Sequence, residues 1–345
     1  IVKIHNFQVV NGGQTTSAIF AAKKKRNGDL SKISVQMKLS VVNPQFNVDQ
    51  FVSKVAEYAN TQNKVNPSDF FSNSPFHMDM KDYSKRIWAP SISGIQQKTH
   101  WYYERVRGEY LNEQAYLTVS EKKKFLLENP RNQQFEKTFV TKSENSWQQM
   151  PHIVAKGGQY SFKHFSVTIT DLLEKNDQAI TEQYFKDAIS RIILFKHVER
   201  FISKSDWYDG GYRAQAVTYS ISLLSYVIQK QNKFLNFQNI WQSQSIPLEL
   251  NEIISEITEK VYDSLTNPPA GSVNAASFAR KIDCWERVKR IPILSEIDEG
   301  LLIGKQEKTY IKRTEKKEKQ ILKGIEMQVF VIQTPINKWK SLFDY

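Results

Sequence analysis

Cysteine is almost absent from this sequence, which contains only Cys284 among 345 residues. Since no intrachain disulfide can form, a secreted scaffold held together by disulfides is excluded, and a reducing compartment is indicated. Long hydrophobic runs are also lacking: the longest, at residues 192–195 and 221–228, fall far short of the roughly 20 residues that cross a bilayer. We therefore expect a cytoplasmic protein without a membrane-spanning segment.

Acidic residues are fewer than basic ones, with 36 Asp and Glu against 48 Lys and Arg, which gives a formal charge of +12. An excess of cations attracts polyanions and releases their counterions, so a nucleic-acid or nucleotide partner is predicted. Hydrophobic residues make up 40% of the chain, enough for packed cores. The length predicts about two domains.

No pattern of metal ligands or activated nucleophiles stands out. The lone Cys284 has no evident histidine partner, so a thiol nucleophile is not predicted. A nuclease centre holding Mg²⁺ would need a carboxylate near a strand that carries an acid-x-Lys pattern. Asp29 followed by Gln36-Met37-Lys38 is the nearest arrangement, and an exposed strand face is the alternative interpretation. None of the six histidines shows metal-ligand spacing: His5, His77, His100, His152, His164 and His197.

The hydrophobic pattern changes along the chain from mixed to helical. It predicts strands at 7–10 and 33–42 and helices at 15–22 and 49–59, so the first part is mixed α/β. Longer amphipathic patterns then predict helices at 182–202, 214–231, 248–266 and 277–290. A charged helix or connector (305–323) and a short strand (329–332) follow. The predicted class is α+β, with a small mixed part at 1–116, a mainly helical domain at 117–304 and a terminal segment at 305–345.

The strongest local motif is the junction Asn11-Gly12-Gly13-Gln14-Thr15-Thr16, at which a predicted strand turns into a helix. Helix amino termini present N–H groups and the positive end of the macrodipole, and glycines let an anion approach closely. Gln14, Thr15 and Thr16 carry groups that can donate to a phosphate. The lysine of a Walker A loop is missing. The alternative interpretation is a plain glycine turn capped by a threonine.

An anion at this junction needs positive charge from elsewhere, and Arg105, Arg107 and Arg213 are the leading candidates because guanidinium groups match phosphate geometry. The alternative is that these arginines pair with surface acids. A second glycine loop, Gly211-Tyr212-Arg213, also precedes a predicted helix and is a second candidate for phosphate binding, with a loop anchored by a buried Tyr212 as the alternative. Two further groups have both a functional and a structural interpretation. The amides Asn60, Gln62 and Asn63 bind a base edge or a phosphate, or else terminate a helix. The aromatic residues Trp101, Tyr102 and Tyr103 stack on bases or pack a core.

The run from Phe7 to Thr16 resembles the signature of the AIPR family, the abortive-infection phage-resistance proteins. Four more blocks, spread over nearly the whole chain, resemble segments of the same family. They are Tyr58-Ala59-Asn60-Thr61-Gln62-Asn63-Lys64-Val65, Tyr102-Tyr103-Glu104-Arg105-Val106-Arg107-Gly108-Glu109-Tyr110, Gly210-Gly211-Tyr212-Arg213-Ala214 and Ala279-Arg280-Lys281-Ile282-Asp283-Cys284-Trp285-Glu286.

The resemblance implies a prokaryotic antiphage defence protein, with a nucleotide or Mg²⁺ as the cofactors to consider and a homodimer or partner defence proteins as possible assemblies. It also leads us to expect further sequence before Ile1. The junction is distantly similar to the phosphate-contacting loop of ParB and sulfiredoxin-like proteins, but Thr15-Thr16 replaces the His-Arg pair of that loop. Three functions stay open: phosphate binding at the junction, a Mg²⁺-dependent nuclease, and a non-catalytic nucleic-acid-binding or interaction module.

Overall fold

A computed structural model describes residues 9, 12–26, 29–41, 74–91, 98–115, 117–271 and 274–304. The chain divides into two compact units. The first comprises Ile1–Val140 with Trp241–Gln244, and the second comprises Thr141–Ile240 with Ser245–Tyr345. The predicted domain boundaries after residues 116 and 304 stay predictions. None of the helices in the described ranges is long and apolar enough to cross a membrane.

The first unit combines helices with a small parallel sheet. Pro75 occupies the first turn of the second helix, where its missing N–H costs nothing. A capping box between Thr118 and Glu121 starts the fourth helix. The elements are α1 (Gly13–Arg26), α2 (Pro75–Arg86), β1 (Tyr102–Glu104), α3 (Glu109–Ala115), α4 (Val119–Glu128) and β2 (Gln134–Glu136), and the two strands pair in parallel with Tyr103 opposite Phe135.

Aromatic residues form the core of the first unit. Tyr103 is fully buried beside Phe135, with ring centroids 5.2 Å apart, and Tyr102 meets Tyr110 edge to face at 5.0 Å. The segment Trp241–Gln244, which belongs to the same unit, joins this core where Trp101 Nε1 donates to Gln244 Oε1 at 2.7 Å. Close aromatic pairs of this kind contribute about 0.5–1.5 kcal/mol beyond their area.

The second unit is mainly helical, as predicted, and the whole chain is α+β with helices dominant. Three long helices of this unit, at Glu182–Lys204, Arg213–Lys230 and Asn251–Thr266, pack against one another through fully or almost fully buried residues such as Ile192, Leu223 and Val261. Its elements are α5 (Lys137–Trp147, beginning in the first unit), α6 (Pro151–Ala155), α7 (Gly158–Lys175), α8 (Glu182–Lys204), α9 (Arg213–Lys230), β3 (Phe234–Leu235), α10 (Phe237–Ser243), α11 (Asn251–Thr266), α12 (Ala275–Phe278), α13 (Ile282–Val288) and β4 (Leu302–Ile303), with β3 antiparallel to β4.

The predicted helices at 182–202 and 214–231 are confirmed, and the one at 248–266 begins with a short 3₁₀ turn before α11. The single helix predicted at 277–290 is wrong, because the chain forms α12 and α13 with a turn between them. Asn274 caps α12 by accepting from the N–H of Ser277, and the Tyr219 hydroxyl donates to the Ala279 carbonyl at 2.7 Å. The Asn274 cap fixes the start of α12, and the bond from Tyr219 holds the turn that follows it.

The strand predicted at 33–42 is also wrong over its described part, since residues 33–41 form neither helix nor strand. Strict alternation predicts a strand only where a neighbouring strand and a core cover one face. The apolar side chains here stay exposed, from 39% at Leu39 to 89% at Val41. Of the strand predicted at 7–10, only Val9 is described, and it lies outside any strand. The helix at 49–59 and the segments at 305–323 and 329–332 lie outside the described residues.

Candidate functional site

The glycine junction forms a tight turn that leads directly into α1. Gly12 adopts φ +92°, a left-handed conformation that favours glycine, and α1 begins at Gly13. The Thr16 N–H donates to the Gly12 carbonyl at 3.0 Å, and the Thr16 hydroxyl donates to the same oxygen at 3.1 Å. The hydroxyl of Thr16 therefore closes the turn, while Thr15 is exposed at the start of the helix.

The amide residues predicted for this site are described only in part. Asn11 lies outside the described residues, as do the three amide residues Asn60, Gln62 and Asn63. The backbone of Gln14 is helical, which aligns its N–H with the helix axis. The roles of these amides stay predictions.

Arg105 and Arg107 lie on a loop whose shape is set by two glutamates. Glu104, which is buried, accepts from the N–H of Gly108 and from the Gln134 amide. Glu109 accepts from the N–H of Arg105 at 3.0 Å. With the loop backbone fixed in this way, Arg105 is half-buried and Arg107 is exposed.

The aromatic residues before this loop pack a core and do not offer a stacking surface. Trp101, Tyr102 and Tyr103 are all buried, with at most 5% of each residue exposed. Base stacking needs an accessible ring face. The stacking interpretation of these three residues is therefore wrong, because their rings are covered by the first unit itself.

Sequence reasoning missed a polar cluster beneath the same loop. Lys81, on α2, is buried and its Nζ donates to the Tyr103 carbonyl at 3.0 Å, lies 3.2 Å from Glu109, and sits 3.9 Å from the centre of the Tyr102 ring. Burial lowers the pKa of Lys81, and Glu109 partly offsets that effect. Only the position of a lysine among the apolar residues of α2 could have signalled this cluster.

His77, also on α2, is fully buried against the Tyr103 hydroxyl. Burial, reinforced by the positive charges of Lys137 and Arg105, lowers the pKa of His77 to about 3. The imidazole is therefore neutral at physiological pH and has little basicity. This histidine is structural, as the sequence predicted.

The second glycine loop has a different construction. Gly210, Gly211 and Tyr212 adopt positive φ values of 104°, 76° and 45°, immediately before α9. The Tyr262 hydroxyl donates to the Gly210 carbonyl at 2.8 Å. Arg213, the first residue of α9, is exposed and its Nη1 donates to Ser203 Oγ at 3.2 Å. Arg105 and Arg107 belong to the first unit, whereas Arg213 belongs to the second.

The groups considered for enzymatic chemistry have structural contacts. Asp29 accepts from both the N–H and the hydroxyl of Ser31, at 2.9 Å each, and these bonds lower the pKa of the carboxyl. Gln36 and Lys38 lie on the unpaired segment 33–41, so the strand context for a nuclease centre is missing. Burial raises the pKa of the Cys284 thiol to about 11, which disfavours a nucleophilic thiolate. Within the described ranges, no group of three His, Cys, Asp or Glu side chains could hold a metal ion.

Comparison with known proteins gives one informative result. A family model described as AIPR protein matches residues 1–269, which is more than three quarters of the chain. No curated protein and no solved structure matches the chain.

Proposed function

Since this chain belongs to the AIPR family, we propose that it acts in antiphage defence by binding a phosphate group of a nucleotide or nucleic acid at the Gly12 turn. Family membership supports the abortive-infection role. The hydrogen-bond donors at the start of α1 support a phosphate group as the ligand.

The observation that carries the proposal is the turn into α1. The first turn of α1 contains no acidic residue, so its N–H groups and the positive end of the helix dipole are not offset by a local carboxylate. A Cβ added at Gly12 would meet no described atom within 4 Å. A phosphate oxygen can therefore approach the backbone closely. Thr15 supplies an exposed hydroxyl as a further donor.

A bound phosphate also needs positively charged side chains, which the turn itself does not supply. The proposal assigns it to Arg105 and Arg107, which share the first unit with the turn and sit on a loop fixed by Glu104 and Glu109. A fixed backbone lowers the entropy lost when long arginine side chains engage a ligand. Gln14, Asn60, Gln62 and Asn63 keep their predicted role in orienting the anion, and Asn11 stays a predicted phosphate-binding residue.

The test uses three single variants of the full chain: Thr15→Val, Arg107→Gln and, as a control, Arg131→Gln. Arg131 is another exposed arginine of the first unit, so Arg131→Gln removes one positive charge, as Arg107→Gln does. Purified proteins are titrated with ATP and with a labelled single-stranded oligonucleotide. We expect the first two variants to bind at least one probe about tenfold more weakly, because each loses a donor to an anion, while the control binds as the wild type does.

Unchanged binding in folded Thr15→Val and Arg107→Gln proteins would reject phosphate binding at this turn. Oligonucleotide binding that persists in both variants and falls steeply with salt would then identify a nucleic-acid-binding module that uses another surface. Circular dichroism of each variant confirms that the comparison is made between folded proteins.

A further inference from the structure

A group of cations surrounds one stripe of α8 in the second unit. Phe195, Glu199 and Ser203 follow one another at four-residue intervals, so they share one face of the helix over about 12 Å. Lys142 Nζ lies 4.7 Å from the centre of the Phe195 ring at one end of the stripe. Arg213 contacts Ser203 at the other end.

Two more cations stand beside this stripe. Lys196 and Arg200 are one turn of α8 apart, about 6 Å along its axis, and Arg200 is exposed. Four cations thus accompany Glu199, the carboxylate in the middle of the stripe. In the part of the chain that the structure describes, Lys142, Arg200 and Arg213 form no ion pair.

The electrostatics agree with this geometry. Burial lowers the pKa of Lys142, Glu199 partly offsets that effect, and the charge of Arg213 lowers the pKa further. Burial also lowers the pKa of Lys196, with a contribution from Arg200. Cations that lower one another's pKa repel each other, and an anion bound among them reduces that repulsion.

The neighbouring loop adds an aromatic face. Tyr212, next to Arg213, is 38% exposed, and its left-handed backbone is fixed behind Gly210 and Gly211. The Ser203 hydroxyl donates to the Glu199 carbonyl at 2.7 Å and accepts from Arg213, which orients the guanidinium. A row of cations along a helix suits a polymer with a charge on every repeat better than a single phosphate, and a nearby exposed ring suits an unpaired base.

We infer that Lys142, Lys196, Arg200 and Arg213 form a binding site for the phosphate backbone of single-stranded nucleic acid, with Tyr212 stacking on a base. This site does not depend on an anion at the Gly12 turn. Glu199 weakens binding, since its carboxylate repels the phosphates, and limits how tightly the strand is held.

The test measures binding of a labelled single-stranded oligonucleotide by fluorescence anisotropy over a range of salt concentrations. The double variant Arg200→Gln/Arg213→Gln removes two exposed cations and should leave the fold intact. We expect it to bind about tenfold more weakly, and the slope of log K against log salt to fall by about 1.4, for two lost phosphate contacts. Glu199→Gln should bind several-fold more tightly than the wild type.

Lys230→Gln is the control for loss of a cation away from the site, because Lys230 is an exposed cation at the far end of α9, about 25 Å along the helix from Arg213. It should bind as the wild type does. Equal binding by the double variant and this control, weaker binding by Glu199→Gln, or tighter binding of a duplex than of the single strand would each overturn the inference. Binding of ATP that depends on Thr15 is a separate readout and reports only on the Gly12 turn.

Discussion

The two glycine turns of this chain precede helices in the same way, but they are held by different means. The Gly12 turn is closed by two bonds from Thr16, four residues on, to the Gly12 carbonyl, and α1 behind it keeps Phe20 46% exposed. The turn at Gly210 and Gly211 is bonded by Tyr262 from another helix, and α9 behind it is largely buried. Two glycine turns that both precede helices can therefore differ in how firmly the surrounding structure holds them.

This difference has a functional consequence. A turn bonded to a packed core presents its first helical side chain in a constant position, so Arg213 is preorganised for a ligand. A turn held by local bonds opens at a lower free energy and can adjust to an anion. The first turn thus suits a ligand that completes the site, whereas the second suits a surface that is ready before binding.

The largest expected effect lies in the core of the second unit, the unit that contains the second turn. Arg191 Nε donates to Glu144 Oε1 at 2.7 Å, with 5% and 4% of their side chains exposed, and the Tyr184 hydroxyl donates to the same carboxylate. Glu144→Ala removes a buried carboxylate that accepts from both the Arg191 guanidinium and the Tyr184 hydroxyl, and we expect a loss of about 3–5 kcal/mol in urea denaturation.

The control for this variant is Glu182→Ala, which breaks the partly exposed pair with Lys186 on α8. Such pairs contribute less than about 1 kcal/mol. If the two variants lose similar small amounts of stability, the buried pair does not hold the core of the second unit, and the contrast between the turns weakens.

The next-largest expected effect is a loss of stability of the first unit as the pH falls. The folded pKa of His77 is about 3, below its ordinary value of 6.5, so the unfolded chain binds the proton more readily. Stability is then unaffected above pH 6.5 and is lost as pH falls from 6.5 towards 3, by about 2 kcal/mol at pH 5. Denaturation midpoints of the wild type and His77→Gln, measured from pH 7 to pH 5, test this.

Relative to its own value at pH 7, the His77→Gln protein should lose less stability than the wild type. Parallel curves for the two proteins would show that His77 is not buried as a neutral group. The core of the first unit would then be looser than its aromatic contacts indicate.

The sequence predicted the second unit better than the first for a physical reason. Helices α8 and α9 bury broad apolar faces, so the helical spacing of their apolar residues can be recognised within each helix's own sequence. The alternation at 33–41 has the same clarity but needs a partner strand far away in the sequence, which the pattern cannot supply. The break between α12 and α13 depends on Tyr219, a residue of another helix.

The candidate sites show the same limit. The glycine turns and the exposed Arg107 and Arg213 could be predicted from residue types, because glycine and arginine have few alternatives in such positions. The burial of Trp101, Tyr102 and Tyr103 could not, since aromatic residues serve cores and binding surfaces alike. Lys142 gives no signal in the sequence, because its partners lie on α8 and α9, more than fifty residues away.

The smallest expected effect compares the two turns directly, through Gly211→Ala and Gly12→Ala. Both glycines have positive φ, 76° and 92°, where a Cβ costs about 1 kcal/mol or more. In Gly211→Ala the core of the second unit resists relaxation, so we expect global stability to fall by about 1 kcal/mol in urea denaturation. In Gly12→Ala the turn can relax locally, so the midpoint should not move, while the Thr16 amide, bonded to Gly12, should exchange its hydrogen faster. Equal shifts in midpoint for both variants would show that the first turn is as firmly fixed as the second, and an anion would then meet a preformed site at Gly12.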